Sequence, residues 1–248
     1  MTSTKPDLIQ PNWPAPPHVR AYATTRSGGG SIFPYDSLNL AKHVGDDDAL
    51  VQRNRQLLIQ EINGPAEPIW LSQVHGIEVV AADAVVPGVT ADGSYTLQAG
   101  KVCAVLTADC LPVLMCDRQG TRVVAVHAGW RGLAAGILEV AVSKLAVPGS
   151  ELLVWLGPAI GPQVFEVGDE VYQQFVAVDS QATQAFTPNA RGRWLADIYT
   201  LARQRLASRG IHEVYGGDFC TYSDSERFFS YRRDGKATGR MASLIWLN

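Results

Sequence analysis

The sequence lacks the long apolar segments that membrane or exported proteins carry. No stretch of the 248 residues approaches 18 consecutive apolar residues, roughly the minimum for a transmembrane helix, so no membrane association is expected. The first twenty residues, MTSTKPDLIQPNWPAPPHVR, are polar and proline-rich and have no apolar signal-peptide core. We therefore expect a cytoplasmic protein.

The sequence also lacks an excess of basic charge. It has 21 Lys and Arg residues against 24 Asp and Glu residues, a formal net charge of −3, and the charges do not form blocks. Because nucleic-acid binding requires a basic surface, we expect no nucleic-acid partner. Neither composition nor charge indicates the oligomeric state.

Cysteine and histidine are scarce, with four and five residues respectively. There is no CxxC pair, which removes the commonest structural zinc and redox patterns. In a reducing compartment the four cysteines are expected to be thiols or metal ligands rather than disulfides. The cysteines are Cys103, Cys110, Cys116 and Cys220.

What is present is a β-rich middle flanked by helices. Apolar runs predict strands over VRAYATT, PIWLSQ, EVVAADAVV, VCAVLTA, LPVLMCD, TRVVAVH, ELLVWLG, IHEVYGG and MASLIWL. Helical periodicity predicts helices over DDDALVQRNRQLLIQEI, GLAAGILEVAVSKLA, VGDEVYQQFVA and RWLADIYTLARQRLASRG. Strands and helices interleave without strict alternation, which predicts an α+β fold of mixed sheets covered by helices. We expect one domain over residues 1–248, with 1–17 as a proline-rich extension.

Three candidate ligands lie at or just after predicted strand ends: His75 in LSQVHG, Cys110 in TADCLP and His127 in AVHAGWRG. Catalytic zinc sites use three protein ligands and a water, and prefer thiolate and imidazole donors. The spacings of 35 and 17 residues are long, so the pattern is also consistent with a core cysteine and ordinary polar histidines.

Other residues near these ends are weaker candidates. Arg131 lies in the GWRG turn before a predicted helix, a position that favours anion binding. The alternative is that its side chain is simply solvated. Asp109 directly precedes Cys110. Its carboxylate can accept a hydrogen bond from the second nitrogen of a histidine ligand, or accept a proton in catalysis. The alternative is that it only caps a turn. Arg26 in TTRSGGG suits an oxyanion, or else lies in a mobile surface loop, and SLNLAKHVGD offers Asn39 and His43. The arginine-rich, aromatic segment 221–240 is interpreted as the wall of an anion or nucleobase pocket, and the alternative is a solvated loop with buried phenylalanines.

Together these motifs resemble a known family. LSQVHG, TADCLPVL, AVHAGWRG, GPAIGP, FEVGDEV and CTYSDSERFFSYRRDGKATGRMASLIWL are similar to motifs of the bacterial YfiH-type family, also called the laccase-domain or multicopper polyphenol oxidase family. The resemblance covers nearly the whole chain. It implies a four-layer α/β/β/α sandwich similar to the catalytic domain of cytotoxic necrotizing toxins. It also implies a metal site on His75, Cys110 and His127.

The resemblance implies several activities. Family members are described as purine nucleoside phosphorylases that also cleave methylthioadenosine and deaminate adenosine, as polyphenol oxidases, and as peptidoglycan-editing factors. A laccase with trinuclear copper needs more histidines than the five present, so zinc is the expected cofactor and copper the alternative.

Our leading hypothesis is therefore a zinc-dependent purine nucleoside phosphorylase with adenosine deaminase activity, acting on a nucleoside and phosphate. In this hypothesis Arg26 and Arg131 hold phosphate or the ribose side, and Asn39 contacts the nucleoside. A second hypothesis is a cysteine hydrolase that cleaves an amide of a cell-wall precursor. There Cys110 is the nucleophile, His127 its base, and Asp109 or His75 the orienting group. A third is a metal- or nucleotide-binding protein without catalytic activity.

Overall fold

The structure is a computed structural model that describes residues 5–248. Its strands are β1 (Leu8–Ile9), β2 (Val19–Thr24), β3 (Val79–Ala81), β4 (Gly93–Thr96), β5 (Val102–Thr107), β6 (Leu111–Asp117), β7 (Val123–Ala128), β8 (Leu152–Leu156), β9 (Glu166–Val167), β10 (Phe186–Pro188), β11 (Trp194–Ala196), β12 (Val214–Gly216) and β13 (Met241–Leu247). Its α-helices are α1 (Asp48–Glu61), α2 (Trp130–Ala135), α3 (Ile137–Leu145), α4 (Asp169–Val176), α5 (Ile198–Ala207) and α6 (Tyr231–Asp234).

Two large sheets form the centre of the fold. One has the strand order β1-β2-β13-β5, and the other has the order β12-β8-β6-β7-β4-β3. Most neighbours are antiparallel, while β12 with β8 and β3 with β4 are parallel pairs. A small third sheet, β10-β11-β9, lies outside these two. The six-stranded sheet is thus mixed, as predicted, whereas the other two are antiparallel throughout.

The two large sheets pack face to face. In β6, Leu114 and Cys116 contribute to the apolar core between the sheets, whereas Val113 and Met115 contribute to the core beneath the helices. Successive side chains of a strand point to opposite faces, so both faces of this sheet are buried. That explains why the central strands appear in the sequence as continuous apolar runs.

Helices cover the two outer faces. Ile137 of α3 and Leu206 of α5 pack in the core on the outer face of the six-stranded sheet. Leu58 of α1 packs with Leu244 and Trp246 of β13 on the outer face of the four-stranded sheet. The order helix, sheet, sheet, helix confirms the four-layer arrangement.

Two helix predictions were wrong in detail. The segment GLAAGILEVAVSKLA forms two helices, because Gly136 adopts a left-handed conformation (φ 99°) between α2 and α3. The last predicted helix starts later than expected, since Asp197 caps it with two hydrogen bonds from helical N–H groups. Leu195, which was expected on the helix face, therefore lies in β11.

Part of the proline-rich start packs onto the sheets. Residues 1–4 of the predicted extension lie outside the described residues, but the following part is built into the fold. Leu8 and Ile9 pair with β2, and Trp13 packs against the core between the sheets. Within residues 5–248, no helix is both long and apolar enough to cross a bilayer.

The hairpin of β6 and β7 positions the site. Its register pairs Leu111 with Ala128 and Pro112 with His127. Cys110, immediately before β6, therefore lies beside the end of β7. The turn at DRQG, residues 117–120, closes the opposite end of the hairpin, so this turn is far from the ligands.

Candidate metal centre and its cavity

The structure brings the three predicted ligands together. The potential ligand atoms of His75, Cys110 and His127 all lie within 4.8 Å of one another. Cys110 Sγ lies 3.7 Å from His75 Nε2, and the two imidazole rings meet edge to face with centroids 4.8 Å apart. In residues 5–248 no other group of three or more His, Cys, Asp or Glu side chains is placed to share an ion.

The three ligands differ in exposure. His127 is 3% exposed at the end of β7, Cys110 is half-buried, and His75 is exposed on the loop before β3. The group is therefore anchored in the sheet on one side and open on the other, which is the side a substrate would approach.

A fully buried carboxylate, Asp92, holds this group from behind. Its Oδ1 accepts hydrogen bonds from His127 Nδ1 at 2.8 Å and from the His75 N–H at 2.9 Å. Its Oδ2 accepts from the N–H groups of Gly76 at 2.7 Å and Val74 at 3.2 Å. With Nδ1 engaged, the Nε2 of His127 is left for the metal. Sequence reasoning missed this residue.

The first glycine of the GWRG turn, Gly129, is required by the close approach of the three ligands. A Cβ at this position would lie 2.7 Å from His75 Cδ2, 3.2 Å from Cys110 Sγ and 3.5 Å from His127 Cε1. Because no real side chain tolerates the first of these distances, only glycine lets the three ligands converge here.

The ligands also change one another's protonation. Burial raises the pKa of Cys110, but the charge and hydrogen bond of His127 outweigh it and lower the pKa to about 6. Burial lowers the pKa of His127, but Cys110 and Asp92 raise it to about 9. By contrast, burial raises the pKa of Cys103 and Cys116 to about 12. Only the thiolate binds metal or attacks, so Cys110 is suited to either role at neutral pH.

These residues fit a zinc ion. One thiolate and two imidazoles are the donors that zinc prefers, and three protein ligands leave a position for water or substrate. The carboxylate behind His127 is the usual second partner of a metal-binding histidine.

A cavity of about 430 Å³ opens over the ligands. Apolar and aromatic side chains form much of its wall, and three arginines and one carboxylate contribute charge. Its lining residues outside the metal ligands include Leu106, Asp109, Trp130, Arg131, Ile160, Phe165, Tyr231, Arg232 and Arg240.

Arg131 lies on the cavity wall, as the anion hypothesis requires. Its guanidinium carbon lies 4.4 Å from the centroid of the Trp130 ring, and no described residue pairs with the guanidinium by a hydrogen bond or salt bridge. Helix α2, which contains it, is only six residues long. Anion binding here therefore depends on the guanidinium rather than on a helix dipole.

The segment 221–240 forms part of the cavity wall and supplies two further arginines. Arg232 Nη1 donates to the Glu166 carbonyl at 2.7 Å, and Arg240 Nη1 donates to the Thr238 carbonyl at 2.7 Å. These bonds fix the two side chains beside the cavity. Sequence reasoning selected the segment but not these two residues.

Asp109 lines the cavity but does not bond a metal ligand's ring. Its carboxylate accepts hydrogen bonds from Thr221 Oγ1 at 2.7 Å, Ser230 Oγ at 3.0 Å and the Arg232 N–H at 2.6 Å. The predicted bond from a ligand's second nitrogen exists, but its acceptor is Asp92 and not Asp109. Asp109 instead ties the C-terminal segment to the residue beside Cys110.

Arg26 and Asn39 do not reach this cavity. Arg26 donates to the Asp36 carbonyl at 2.9 Å and to the Ser225 carbonyl at 3.1 Å. Asn39 is fully buried, and its Oδ1 accepts from the Arg240 N–H at 3.0 Å. Direct substrate contact by these residues is not supported by the structure. Their bonds instead hold the loops that border the site.

The histidines divide into two groups. His43, His75 and His127 line the cavity. His18 bonds a carbonyl oxygen in the turn between β6 and β7 at 2.9 Å, and His212 is exposed at another edge. Burial, followed by the charges of Arg240 and Arg55, lowers the pKa of His43, so this ring is neutral at pH 7.

Comparisons with known proteins agree with these motifs. A family model described as multi-copper polyphenol oxidoreductase laccase matches residues 20–248. A Pseudomonas aeruginosa protein named purine nucleoside phosphorylase PA4543 is 57% identical over 242 residues, covering 96% of this chain and 98% of the relative. Purine nucleoside phosphorylase YfiH of Escherichia coli K12 is 55% identical, covering 97% and 98%.

Solved structures show the same fold. The crystal structure of Neisseria meningitidis protein NMB0706 matches with a TM-score of 0.94 at 48% identity, covering 97% of this chain and 99% of that chain. YlmD from Geobacillus stearothermophilus matches with a TM-score of 0.91 at 30% identity, covering 97% and 96%.

Proposed function

The chain belongs to the multi-copper polyphenol oxidoreductase laccase family, whose YfiH-named members are among its curated relatives, and from this premise we propose that it is a zinc-dependent purine nucleoside phosphorylase that also deaminates adenosine. The names of these relatives support the phosphorylase activity. The observation that carries the proposal is one cavity with His75, Cys110 and His127 at one side and unpaired Arg131 on its wall.

The cavity suits a nucleoside. Its volume of about 430 Å³ lies within the range of small-ligand sites, which are mostly apolar with a few placed polar groups. Phe165, Ile160 and Trp130 offer apolar contact for a purine ring, and Tyr231 can stack on it. The substrates proposed are adenosine, inosine and methylthioadenosine.

Deamination would take place at the ligand side of the cavity. When bound, zinc lowers the pKa of a water molecule so that a nucleophile exists at neutral pH. His75, Cys110 and His127 would hold the ion. The reaction adds the water oxygen to C6 of the purine and releases ammonia, so it consumes no phosphate.

Glycosidic cleavage would use the arginines. Phosphate held by Arg131 and Arg232 attacks C1′ of the ribose, the bond to purine N9 breaks, and the free purine takes up a proton. Charge-assisted hydrogen bonds to phosphate are stronger than neutral ones, so these side chains position the anion. The proton that the purine takes up comes from the attacking monohydrogen phosphate, and Asp109 on the same wall holds the segment that carries Arg232.

A substrate assay with metal-quantified protein tests the proposal. Inosine with phosphate should give hypoxanthine and ribose 1-phosphate, and adenosine should give inosine with or without phosphate. Elemental analysis should find about one zinc per chain, while copper in its place would favour a polyphenol oxidase. Full turnover of nucleosides by zinc-free protein would rule out the proposed metal dependence.

A cysteine amidase is the second candidate, because the structure supplies its three parts. Cys110 and His127 favour a thiolate and an imidazolium, and Asp92 bonds the far nitrogen of His127 at 2.8 Å. That arrangement is the nucleophile, base and orienting acid of a catalytic triad. In this candidate a chelator leaves hydrolysis of a muramyl peptide intact and an alkylating reagent abolishes it, whereas chelation abolishes the zinc-dependent reaction.

A further inference from the structure

We propose that Asp92 is a positioning residue that fixes both histidine ligands at once, His127 through its ring and His75 through its backbone. The proposal rests on the metal site of the proposed function. It assigns to one buried carboxylate the relative placement of two ligands that are far apart in the sequence.

The sheet fixes Asp92 itself. It directly precedes β4, whose Gly93 pairs with Val126 of β7. The carbonyl of Asp92 accepts from the His127 N–H at 2.7 Å, and its own N–H donates to the Glu78 carbonyl at 2.9 Å. Asp92 and His127 are therefore joined by backbone as well as by side chain, and the carboxylate has little freedom to move.

The loop that carries His75 depends on the same carboxylate. The N–H groups of Val74, His75 and Gly76 all point at its two oxygens. His75 has a φ of 61°, a left-handed conformation that residues other than glycine rarely adopt. Three hydrogen bonds to a carboxylate offset the cost of this conformation, and so keep the exposed His75 ring turned toward Cys110.

An asparagine cannot replace both functions. Asparagine has one acceptor oxygen and one NH₂ group, whereas Asp92 accepts with both oxygens. If the NH₂ group faced Val74 and Gly76, donors would face donors and the His75 loop would lose its anchor. If the NH₂ group faced His127 instead, Nδ1 would have to accept, and the proton would move to Nε2, the nitrogen needed by the metal. Either orientation weakens one ligand.

A structural role alone would also make Asp92 important for folding, so a matched control is needed. Asp117 is another buried carboxylate, 4% exposed, and accepts hydrogen bonds from the Thr121 N–H at 2.6 Å, the Thr121 hydroxyl at 2.7 Å and the Arg122 N–H at 3.1 Å. It lies at the opposite end of the β6–β7 hairpin from Cys110. Asp117→Asn therefore perturbs a comparable hydrogen-bond set without touching a ligand.

The experiment measures zinc affinity by competition with a chelating dye for the wild type, Asp92→Asn and Asp117→Asn. Loss of such an orienting partner typically weakens metal binding about 10–100-fold, and we expect this for Asp92→Asn while Asp117→Asn stays close to the wild type. Equal affinity of Asp92→Asn and the wild type overturns the proposal. A wild type that binds no zinc overturns the proposed function itself, and the positioning role with it.

A second measurement needs no variant and decides the matter if Asp92→Asn does not fold. In a long-range ¹H–¹⁵N spectrum of the zinc-loaded wild type, His127 should carry its proton on Nδ1, with Nε2 unprotonated and bound to the metal. Metal on Nδ1 of His127 would show that Asp92 does not bond this ring in the loaded protein, and the proposal would then be wrong.

Discussion

Asp92 and Asp109 are both buried carboxylates, one behind the metal ligands and the other on the cavity wall, and they hold different groups. Asp92 accepts from the His127 ring and from the His75 loop. Asp109 accepts from the side chains and backbone of the C-terminal segment, including the Arg232 N–H. Asp92 thus organises the metal ligands. Asp109 organises the C-terminal part of the arginine wall, which is the side of the cavity that carries Arg131, Arg232 and Arg240.

The difference shows that the site has two separable parts. The metal part is built from residues 74–129, in and around the six-stranded sheet. The arginine wall is built mainly from residues 221–240, which approach from a distant part of the chain. Asp109, next to Cys110, is where the two parts join. Variants should therefore damage one part, the other, or the join.

The largest effect is expected when the metal part is broken. Cys110→Ala removes one of three protein ligands, so zinc content should fall to background and adenosine deamination by orders of magnitude. Elemental analysis and a deaminase assay measure these changes. Phosphate affinity, measured by calorimetry, should change little because the arginines remain. Unchanged zinc content in Cys110→Ala would place the metal elsewhere.

Removing the Asp109 carboxylate, which links the two parts of the site, should lower stability as well as activity. Asp109→Ala leaves buried hydroxyl and N–H groups without an acceptor, at a cost of about 1–3 kcal/mol for an unsatisfied group. We expect the free energy of unfolding in urea to fall by about 2 kcal/mol or more, and the KM for phosphate to rise.

Strain must be separated from lost hydrogen bonds at this position, since Asp109 has a φ of 90°. Asp109→Gly relieves the backbone strain but also removes the carboxylate. The difference in stability between Asp109→Ala and Asp109→Gly therefore measures the strain. If Asp109→Ala, which keeps the strained backbone, is as stable as the wild type, the carboxylate does not hold the C-terminal segment, and the proposed join is wrong.

The electrostatics of the metal part can be tested by alkylation of metal-free protein. A thiol reacts as the thiolate, which is populated above its pKa. Because the pKa of Cys110 is lowered to about 6, its reaction with iodoacetamide should rise with pH around 6 rather than around 8.5, the value for a free cysteine. Raising the pH well above 6 should add little.

The other cysteines serve as internal controls in that experiment. Cys103 and Cys116 are fully buried, with pKa values raised to about 12, and should stay unlabelled in folded protein. Cys220 is accessible and its pKa is lowered, so the labelled sites must be mapped by mass spectrometry. A Cys110 midpoint near 8.5 would show that His127 does not stabilise the thiolate.

The smallest effect is expected when Arg131 alone is removed from the arginine wall. A hydrogen bond to a charged group contributes about 1.5–3 kcal/mol, so Arg131→Ala should raise the KM for phosphate by about tenfold or more, with zinc content unchanged. Arg26→Ala is the matched control, because its guanidinium bonds Asp36 and Ser225 away from the cavity. Equal effects of the two substitutions would remove Arg131 from phosphate binding.

The sequence predicted much of the sheet and the three ligands, for identifiable reasons. Strands β5, β6, β7, β8 and β13 are apolar on both faces, so their runs are visible without tertiary information. Cys110 and His127 lie at or just beyond such runs. His75 lies in the motif LSQVHG, just after the predicted strand PIWLSQ. The four layers, however, came from the resemblance, because a run of apolar residues does not say which sheet it joins.

The residues that were missed or misplaced depend on tertiary contacts. Asp92 lies in TADGS, a pattern typical of a turn, and its bond to His127 follows from the pairing of β4 with β7. Arg26 and Asn39 lie in a long loop, where the direction of a side chain depends on packing. Gly136 broke a helix that its apolar neighbours would otherwise have continued.

The place of β13 has a consequence for the order in which the chain folds. This strand, residues 241–247, is fully buried and lies between β2 and β5, although most of the chain separates it from β2. The four-stranded sheet cannot close until β13 has been synthesised, so β2 and β5 must wait on the ribosome with unpaired edges. Such long-range pairing is intrinsically slow. The β6–β7 hairpin, made of sequence neighbours, can form much earlier and bring Cys110 and His127 together before the four-stranded sheet that packs against it is complete.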